Sequence, residues 1–589
     1  MQSSGLPSIA VIADAHFHDP CGSYDIPGVA CGERIMALRP FANVVRSTRV
    51  FNESSGALRH ALDDISARGI RHVVLLGDYS DDGQAATIES LRNLLDEYTR
   101  RHGIRFIATP GNHDIFGPSG RHRSKRFLND RGGHDLVTSD PARPPSRDDD
   151  AVIIIPGMRC AGYPEGVRAL PDAGFFPAPH DIHWETPFGQ EDDPQSRLYQ
   201  VRSPDGRIVR SLMDASYLVE AVEGIWMLMI DANVFVPVDG TCGTDEDAFE
   251  DSTDAGWNAM LIHKRFILEW AKDVSLRAKT LGKTLLAFSH YPALDPLDNT
   301  LDSERSVLGQ TSLSRRIPHP DLGMALKEAG IRIHFSGHLH VNDTARLRDG
   351  DDFLVNISVP SLVAFPCAYK IASVEAGNLR IDTIGIGDMA LDKAIMRQYR
   401  LEAATSGIGV DSLLSAVNYG AFLSEHLGHL VGRRFLRREW PCDLAQAAGE
   451  LNLADLAVLA RTPQHLPLTG IHASIAAAHG DQARIDHLLE SAAEHGVEFS
   501  TLSAIPVMVF LGDWYRVRMG SDLGLDAIAP ESLSAYRFLS ALYRDCNVKV
   551  GSAQAAFRTL FQMFELFTSG LPSENFTIDL KTGDITAID

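Results

Sequence analysis

Five short stretches crowd chemistry-bearing side chains together: Asp14-Ala15-His16, Gly77-Asp78, Gly111-Asn112-His113-Asp114, Ser289-His290 and Gly337-His338-Leu339-His340. They offer carboxylate and amide oxygens and imidazole nitrogens, with no thiolate. That donor set suits Mn, Fe, Zn or Co better than copper or a structural cysteine–zinc site. The candidate ligands Asp14, His16, Asp78, Asn112, His290, His338 and His340 exceed what one ion needs. They fit two ions if one carboxylate bridges. Any one stretch alone reads as a polar turn; five of them in the same structural setting read as one metal site.

The setting is the end of a strand. Ile9–Ala13, His72–Leu76, Arg105–Ala108, the run from Thr284 and the run from Ile331 are short, apolar and rich in β-branched or aromatic residues, and each leads into one cluster. Between them, Leu58, Ala61, Leu62 and Ile65, then Ile88, Leu91, Leu94, Leu95 and Tyr98, recur at helical spacing. Strand–helix–strand alternation predicts parallel strands, whose carboxyl ends converge on one crevice. Asp14 and His16 stand two residues apart, so an extended exit from the strand would aim both at one ion. A further strand is predicted at Ile225–Asn233 and one long helix from about Trp257 to Leu281.

The ordered set DxH, GDxxxDG, GNHD, a later His and GHxH resembles the calcineurin-like metallophosphoesterase superfamily, across Asp14 to His340. The resemblance implies an α/β fold, a two-layer β-sandwich flanked by helices, with a dinuclear metal centre. Carried over by position, Asp14, His16, Asp78 and His340 would hold one metal, and Asp78, Asn112, His290 and His338 the other, with Asp78 bridging. His113 would be the catalytic histidine that is not a ligand, and Asp114 would orient it and tune its charge. The chemistry implied is phosphoester hydrolysis by a hydroxide bridging the two ions, with His113 as general acid. Two divalent or trivalent ions, Mn, Fe or Zn, are the cofactors expected.

The other polar residues receive local readings. Asp81 and Asp82, with Gly83, are expected to cap the next helix and close a turn, with support of the site from behind its ligands as the alternative; His18 is expected to be a solvated loop histidine, with contact to substrate or support of a ligand as the alternative. Arg34, Arg39, Arg46 and Arg49 lie in a long connection after the first strand, and Arg121–Arg126 (RHRSKR) follows GNHD. Either could meet an anionic substrate through the planar guanidinium, or could be a solvated surface, a helix face in the case of RHRSKR.

The expected organisation is a phosphoesterase domain over 1–390, with an insertion over about 115–224. A mainly α-helical C-terminal domain over 391–589 follows, ending in a β-hairpin around Lys581-Thr582-Gly583. Its helices are a candidate surface for a homo-oligomer. Lys plus Arg is 55 and Asp plus Glu 77, giving a formal charge of −22. That acidity disfavours a nucleic-acid polymer or an anionic membrane as partner and favours a small-molecule phosphoester. Seven scattered cysteines without CxxC spacing, no leader-like N-terminus and no apolar run of spanning length point to a cytoplasmic protein. The reaction expected is hydrolysis of a phosphodiester of a small or medium molecule. Phosphomonoesters or cyclic nucleotides are alternatives on the same site, and a non-catalytic scaffold is the competing class.

Overall fold

The computed structural model describes residues 7–144, 146–254, 256–406 and 411–588. By contacts the chain forms two units. The first comprises Met1–Pro296, Arg316–Leu423 and Pro572–Asp589; the second comprises Leu297–Arg315 and Ser424–Leu571.

The first unit contains two seven-stranded sheets. In one, Ile9–Ile12 lies between His72–Leu76, which runs parallel to it, and Ala368–Glu375, which runs antiparallel; Arg105–Thr109 forms the edge beyond His72–Leu76. In the other, Ile225–Ile230, Thr284–Ser289, Ile333–Ser336 and Asp352–Ser358 run parallel in that order. Both faces of these strands are buried, which is why the sequence shows continuous apolar runs rather than alternation. Along Ile225–Ile230, Met227 and Met229 join the core shared with the first sheet. Trp226, Leu228 and Ile230 turn instead toward helical residues Ile267, Ala271 and Val274. The layers are also pinned by hydrogen bonds, from Thr109 Oγ1 to Ile230 O at 2.9 Å and from the Tyr217 hydroxyl to Ala108 O at 2.7 Å.

The helices follow the predicted spacing. Ser54–Ala67 buries Leu58, Ala61, Leu62 and Ile65, and Ala85–His102 ends at Gly103 in the left-handed region (φ 64°). The segment predicted as one helix from Trp257 to Leu281 is two, Gly256–His263 and Arg265–Leu281. The break falls at Lys264, whose ammonium turns inward to Asp214 Oδ2 at 2.8 Å and donates to Asp231 O at 2.8 Å. A fully buried lysine must meet those acceptors, and that demand outweighs helix continuity. Within 115–224, Tyr217–Val222 and His183–Glu185 belong to the second seven-stranded sheet, and three short strands from Ser124–Leu128 to Val152–Ile154 form a small sheet of their own.

The contact division does not fall at residue 390. Helix Lys393–Ser406 sends Tyr399 into the first unit's core, its ring stacked on Phe41 at 4.6 Å between centroids. The terminal hairpin forms as expected, and its Phe576–Asp579 strand pairs with Asn378–Gly385 in the first sheet. The second unit is helical. It is organised on Phe510 stacked against Phe561 at 4.6 Å and on a buried pair in which Arg518 Nη2 meets Glu304 Oε2 at 2.7 Å.

Burial pushes the Glu53 carboxyl, beside Tyr399, up to about 7. Its folded value lies above its unfolded one, so its contribution is fully present below the usual carboxylate range and is lost as pH rises through about 7. Relative to wild type, Glu53→Gln should therefore gain stability between pH 5 and pH 8, by on the order of 2 kcal/mol, in urea denaturation.

Candidate metal centre

The strand ends meet through the backbone before any side chain is considered. Asp14 N donates to Gly77 O at 3.2 Å, His16 N to Asp78 O at 2.8 Å and Gly337 N to His290 O at 2.9 Å. The two carboxylates extend this lock. Asp14 Oδ2 accepts from His338 N at 2.9 Å, and Asp78 Oδ1 accepts from His113 N at 2.8 Å. Each carboxylate is thus held by one oxygen and presents the other. Asp14 Oδ1 is buried without a hydrogen-bond partner and lies 3.3 Å from His340 Nε2 and 3.9 Å from His16 Nε2. Asp78 Oδ2 lies 3.3 Å from His290 Nε2, 3.8 Å from His16 Nε2 and 3.9 Å from His113 Nε2.

Two donor groups result: Asp14 with His16 and His340, and Asp78 with His290 and His338, the atoms of each within 4.8 Å of one another. The far nitrogens of two rings are occupied. His290 Nδ1 pairs with Leu76 O and His338 Nε2 with Thr253 O, both at 3.1 Å. This leaves His290 Nε2 and His338 Nδ1, 3.2 Å apart, directed at each other. Outer partners of this kind fix the tautomer that a metal-ligating imidazole needs. Asn112 Nδ2 donates to Thr253 Oγ1 at 3.1 Å, so its Oδ1 faces His290 Nε2 at 3.2 Å. The seven residues therefore converge, and Asp78 Oδ2, in the second group, lies 3.8 Å from His16 Nε2 of the first.

The electrostatics fit cations. Burial, with help from Arg49, holds His16 well below the usual histidine range, and burial likewise keeps His338 neutral. Burial alone would lower His290 too, but Asp78 outweighs it and raises the ring to about 9, so the site favours positive charge beside Asp78. A bare carboxylate oxygen among converging imidazole nitrogens is costly to bury unless a cation lies between them.

Local backbone strain accompanies this convergence. Asp14, His16, Asp78, His338 and His340 have φ between 39° and 69°, the left-handed region that non-glycine residues avoid. The DxH exit is therefore not extended; two left-handed residues, rather than strand alternation, aim Asp14 and His16. Glycines provide the clearance. A Cβ on Gly111 would overlap Asp78, and one on Gly337 would overlap Asp14 Oδ2 and lie 2.9 Å from Ala13 Cβ.

His113 is present at the centre but its carboxylate partner differs from the one expected. Asp114 spends its oxygens elsewhere: Oδ1 accepts from Ser80 N at 3.0 Å and Ser80 Oγ at 2.8 Å, and Oδ2 from Gly111 N at 2.9 Å. It braces the GNHD turn. Asp82 instead pairs with His113 Nδ1. Asp82 is also in the left-handed region (φ 75°), and helix Ala85–His102 takes Gln84, not either aspartate, at its N-cap. Asp81 and Asp82 are therefore not caps. Burial would raise Asp82, but Arg123, Lys125 and His113 hold it well below the usual carboxylate range. His18 is also corrected: it is buried, not solvated, with Nε2 paired to Ala37 O at 2.9 Å and burial lowering it to about 4. RHRSKR is not a helix face; Ser124–Leu128 is a strand that sends Lys125 to Asp82 Oδ2 at 2.8 Å.

Sequence reading missed the end of Ile225–Ile230. Asn233 Nδ2 donates to Gly111 O at 3.1 Å, and Tyr291 OH donates to Asn233 Oδ1 at 3.0 Å. Asp231 accepts from the Tyr163 hydroxyl at 3.0 Å. The DAN triplet after an apolar run was the available signal.

Residues 7–165 match the family model for calcineurin-like phosphoesterase, which establishes the resemblance over the part of the chain that carries DxH, GDxxxDG and GNHD. Among solved structures, the chain is similar to a dimetal phosphatase from Danio rerio, at 12% identity and a TM-score of 0.28, covering 65% of this chain and 97% of that one. A second match is GAP50, the anchor in the inner membrane complex of Plasmodium, at 9% identity and a TM-score of 0.24, covering 65% of this chain and 85% of that one. No curated protein matches. Among the described residues, no helix is long and apolar enough to cross a membrane.

Elemental analysis of protein purified with Mn, Fe or Zn should find two ions per chain. Asp78→Ala should lose both, whereas His340→Ala and His338→Ala should each lose chiefly one. Gly337→Ala, which leaves every ligand in place, should weaken metal binding about 10- to 100-fold because its Cβ displaces Asp14.

Proposed function

We propose that this protein is a metal-dependent phosphoesterase whose substrate is a phosphodiester of a small or medium molecule. The observation that carries the reading is Asp78, whose Oδ2 lies between His16 and His290 while its other oxygen is tied to the backbone of His113. One carboxylate thereby links both ligand groups to the residue suited to proton transfer.

Asp14, His16, Asp78 and His340 would hold one ion, and Asp78, Asn112, His290 and His338 the other. When bound, such a pair supplies Lewis-acid stabilisation of phosphoryl oxygens and makes water acidic enough to be a nucleophile. The chain's own residues do the rest. Asp82 accepts the hydrogen bond of His113 Nδ1–H, which orients the ring. The Nε2 side of the ring, 3.9 Å from Asp78 Oδ2 and partly open to solvent, then holds a proton where a departing alkoxide needs one. On the Asn112 and His338 side two arginines are each paired with an acid: Arg121 reaches Asn112 O with Nη2 at 3.5 Å and meets Asp251 with Nη1, and Arg316 Nε meets Asp254 Oδ1 at 3.2 Å. A net charge of −22 disfavours a nucleic-acid polymer and favours a small anion.

Rates on bis(p-nitrophenyl) phosphate, p-nitrophenyl phosphate and cyclic AMP, with defined metals, test the reading. The diester should be preferred; preference for the monoester would overturn that choice, and no turnover of any of them with two ions bound would overturn the enzyme reading. His113→Ala should lower kcat about 10²- to 10³-fold with metal content unchanged. Asp82→Asn should lower kcat by a smaller factor, whereas a conventional GNHD pairing through Asp114 would leave Asp82 dispensable.

A further inference from the structure

We infer that the substrate carries a second phosphate group on the same molecule, and that Arg49 and Arg123 receive it beside His113. This rests on the phosphoesterase reading above and names the class of substrate within it.

Four cations, Arg39, Arg49, Arg123 and Lys125, gather on two carboxylates, Asp81 and Asp82. Two positive charges (4 − 2) are left without a counter-charge. The other acids nearby are engaged: Asp251 pairs with Arg121, and Asp78 faces His16 and His290. The side chains are largely buried, at 9%, 13%, 19% and 5% exposure for Arg39, Arg49, Arg123 and Lys125. A buried positive excess of this kind draws in an anion.

Arg39 and Lys125 are committed to the fold. Arg39 donates to Asp81 Oδ2 and to Arg126 O, both at 3.1 Å, with its guanidinium 4.4 Å over the Phe51 ring. Lys125 donates to Asp81 O at 2.9 Å. Arg49 and Arg123 are the more exposed pair, and the Nε of each is buried without a hydrogen-bond acceptor. Both stand next to the general acid: Arg49 Nη2 is 3.5 Å from His113 Nδ1, and Arg123 Nη2 is 3.2 Å from Asp82 Oδ1. Two guanidinium forks with spare N–H groups match the oxygens of a phosphate. The scissile group belongs at the ligand cluster, so this anion is a different group of the same molecule.

The test compares thymidine 5′-(p-nitrophenyl phosphate) with the same ester carrying a 3′-phosphate, which differ only in the second anion. In wild type, kcat/KM should favour the 3′-phosphorylated ester by about tenfold or more, and Arg49→Gln or Arg123→Gln should bring the ratio toward one. Because Arg123 also holds Asp82, the ratio of the two esters, not either rate, is the readout. Arg49→Lys and Arg123→Lys serve if a glutamine variant does not fold. They keep the charge but lose the fork, and should lower the ratio at least about threefold. A ratio near one in wild type, or one unchanged in all variants, overturns the second-phosphate site and leaves the phosphoesterase reading standing. If neither ester turns over, the phosphoesterase reading fails, and calorimetric titration still decides the site. Thymidine 3′,5′-bisphosphate should bind wild type about tenfold tighter than thymidine 5′-phosphate and Arg123→Gln equally; equal binding to wild type overturns the inference.

Discussion

Two buried carboxylates, each tied by one oxygen to a backbone N–H and turning the other toward imidazole nitrogens, are what the rest of this site depends on. Asp14 is fixed by His338 N and Asp78 by His113 N, so neither can swing away to satisfy its second oxygen elsewhere. Around those oxygens the structure brings imidazole nitrogens from strand ends of both sheets. The arrangement is costly without a cation, and the strained backbones of Asp14, His16, Asp78, His338 and His340 add to that cost. The fold offsets it with sheet layers buried on both faces and with backbone hydrogen bonds that interlock the converging loops.

How much of this could be read from the sequence follows from what each residue's position depends on. The convergence of the seven candidate ligands was legible because each follows an apolar strand, and parallel strands deliver their carboxyl ends to one place. The partner of His113 was not. Asp82 and Asp114 are both acidic and both near a motif, and only the left-handed turn at Asp82 rotates it onto the ring while Asp114 is captured by Ser80 and Gly111. His18 was misread for the same kind of reason: its neighbours are Ser54 and Ala37, distant in sequence, so local polarity gave no sign of burial. The helix break at Lys264 likewise depends on Asp214 and Asp231, which periodicity does not see.

Charge shows the same separation of scales. The chain as a whole is strongly acidic, yet Arg39, Arg49, Arg123 and Lys125 outnumber the carboxylates they meet next to His113. The long-range field governs which large partners approach; the local excess governs which group can be held. A small polyanionic ester satisfies both conditions, and a nucleic-acid polymer satisfies only the second.

The central claim is that Asp78 is shared by two ions. Anomalous diffraction at the absorption edge of the loaded metal tests it most directly. The account predicts two peaks about 3.5–4 Å apart, one ringed by Asp14, His16, His340 and Asp78, the other by Asp78, Asn112, His290 and His338. A single peak, or two peaks with Asp78 on only one of them, would contradict it.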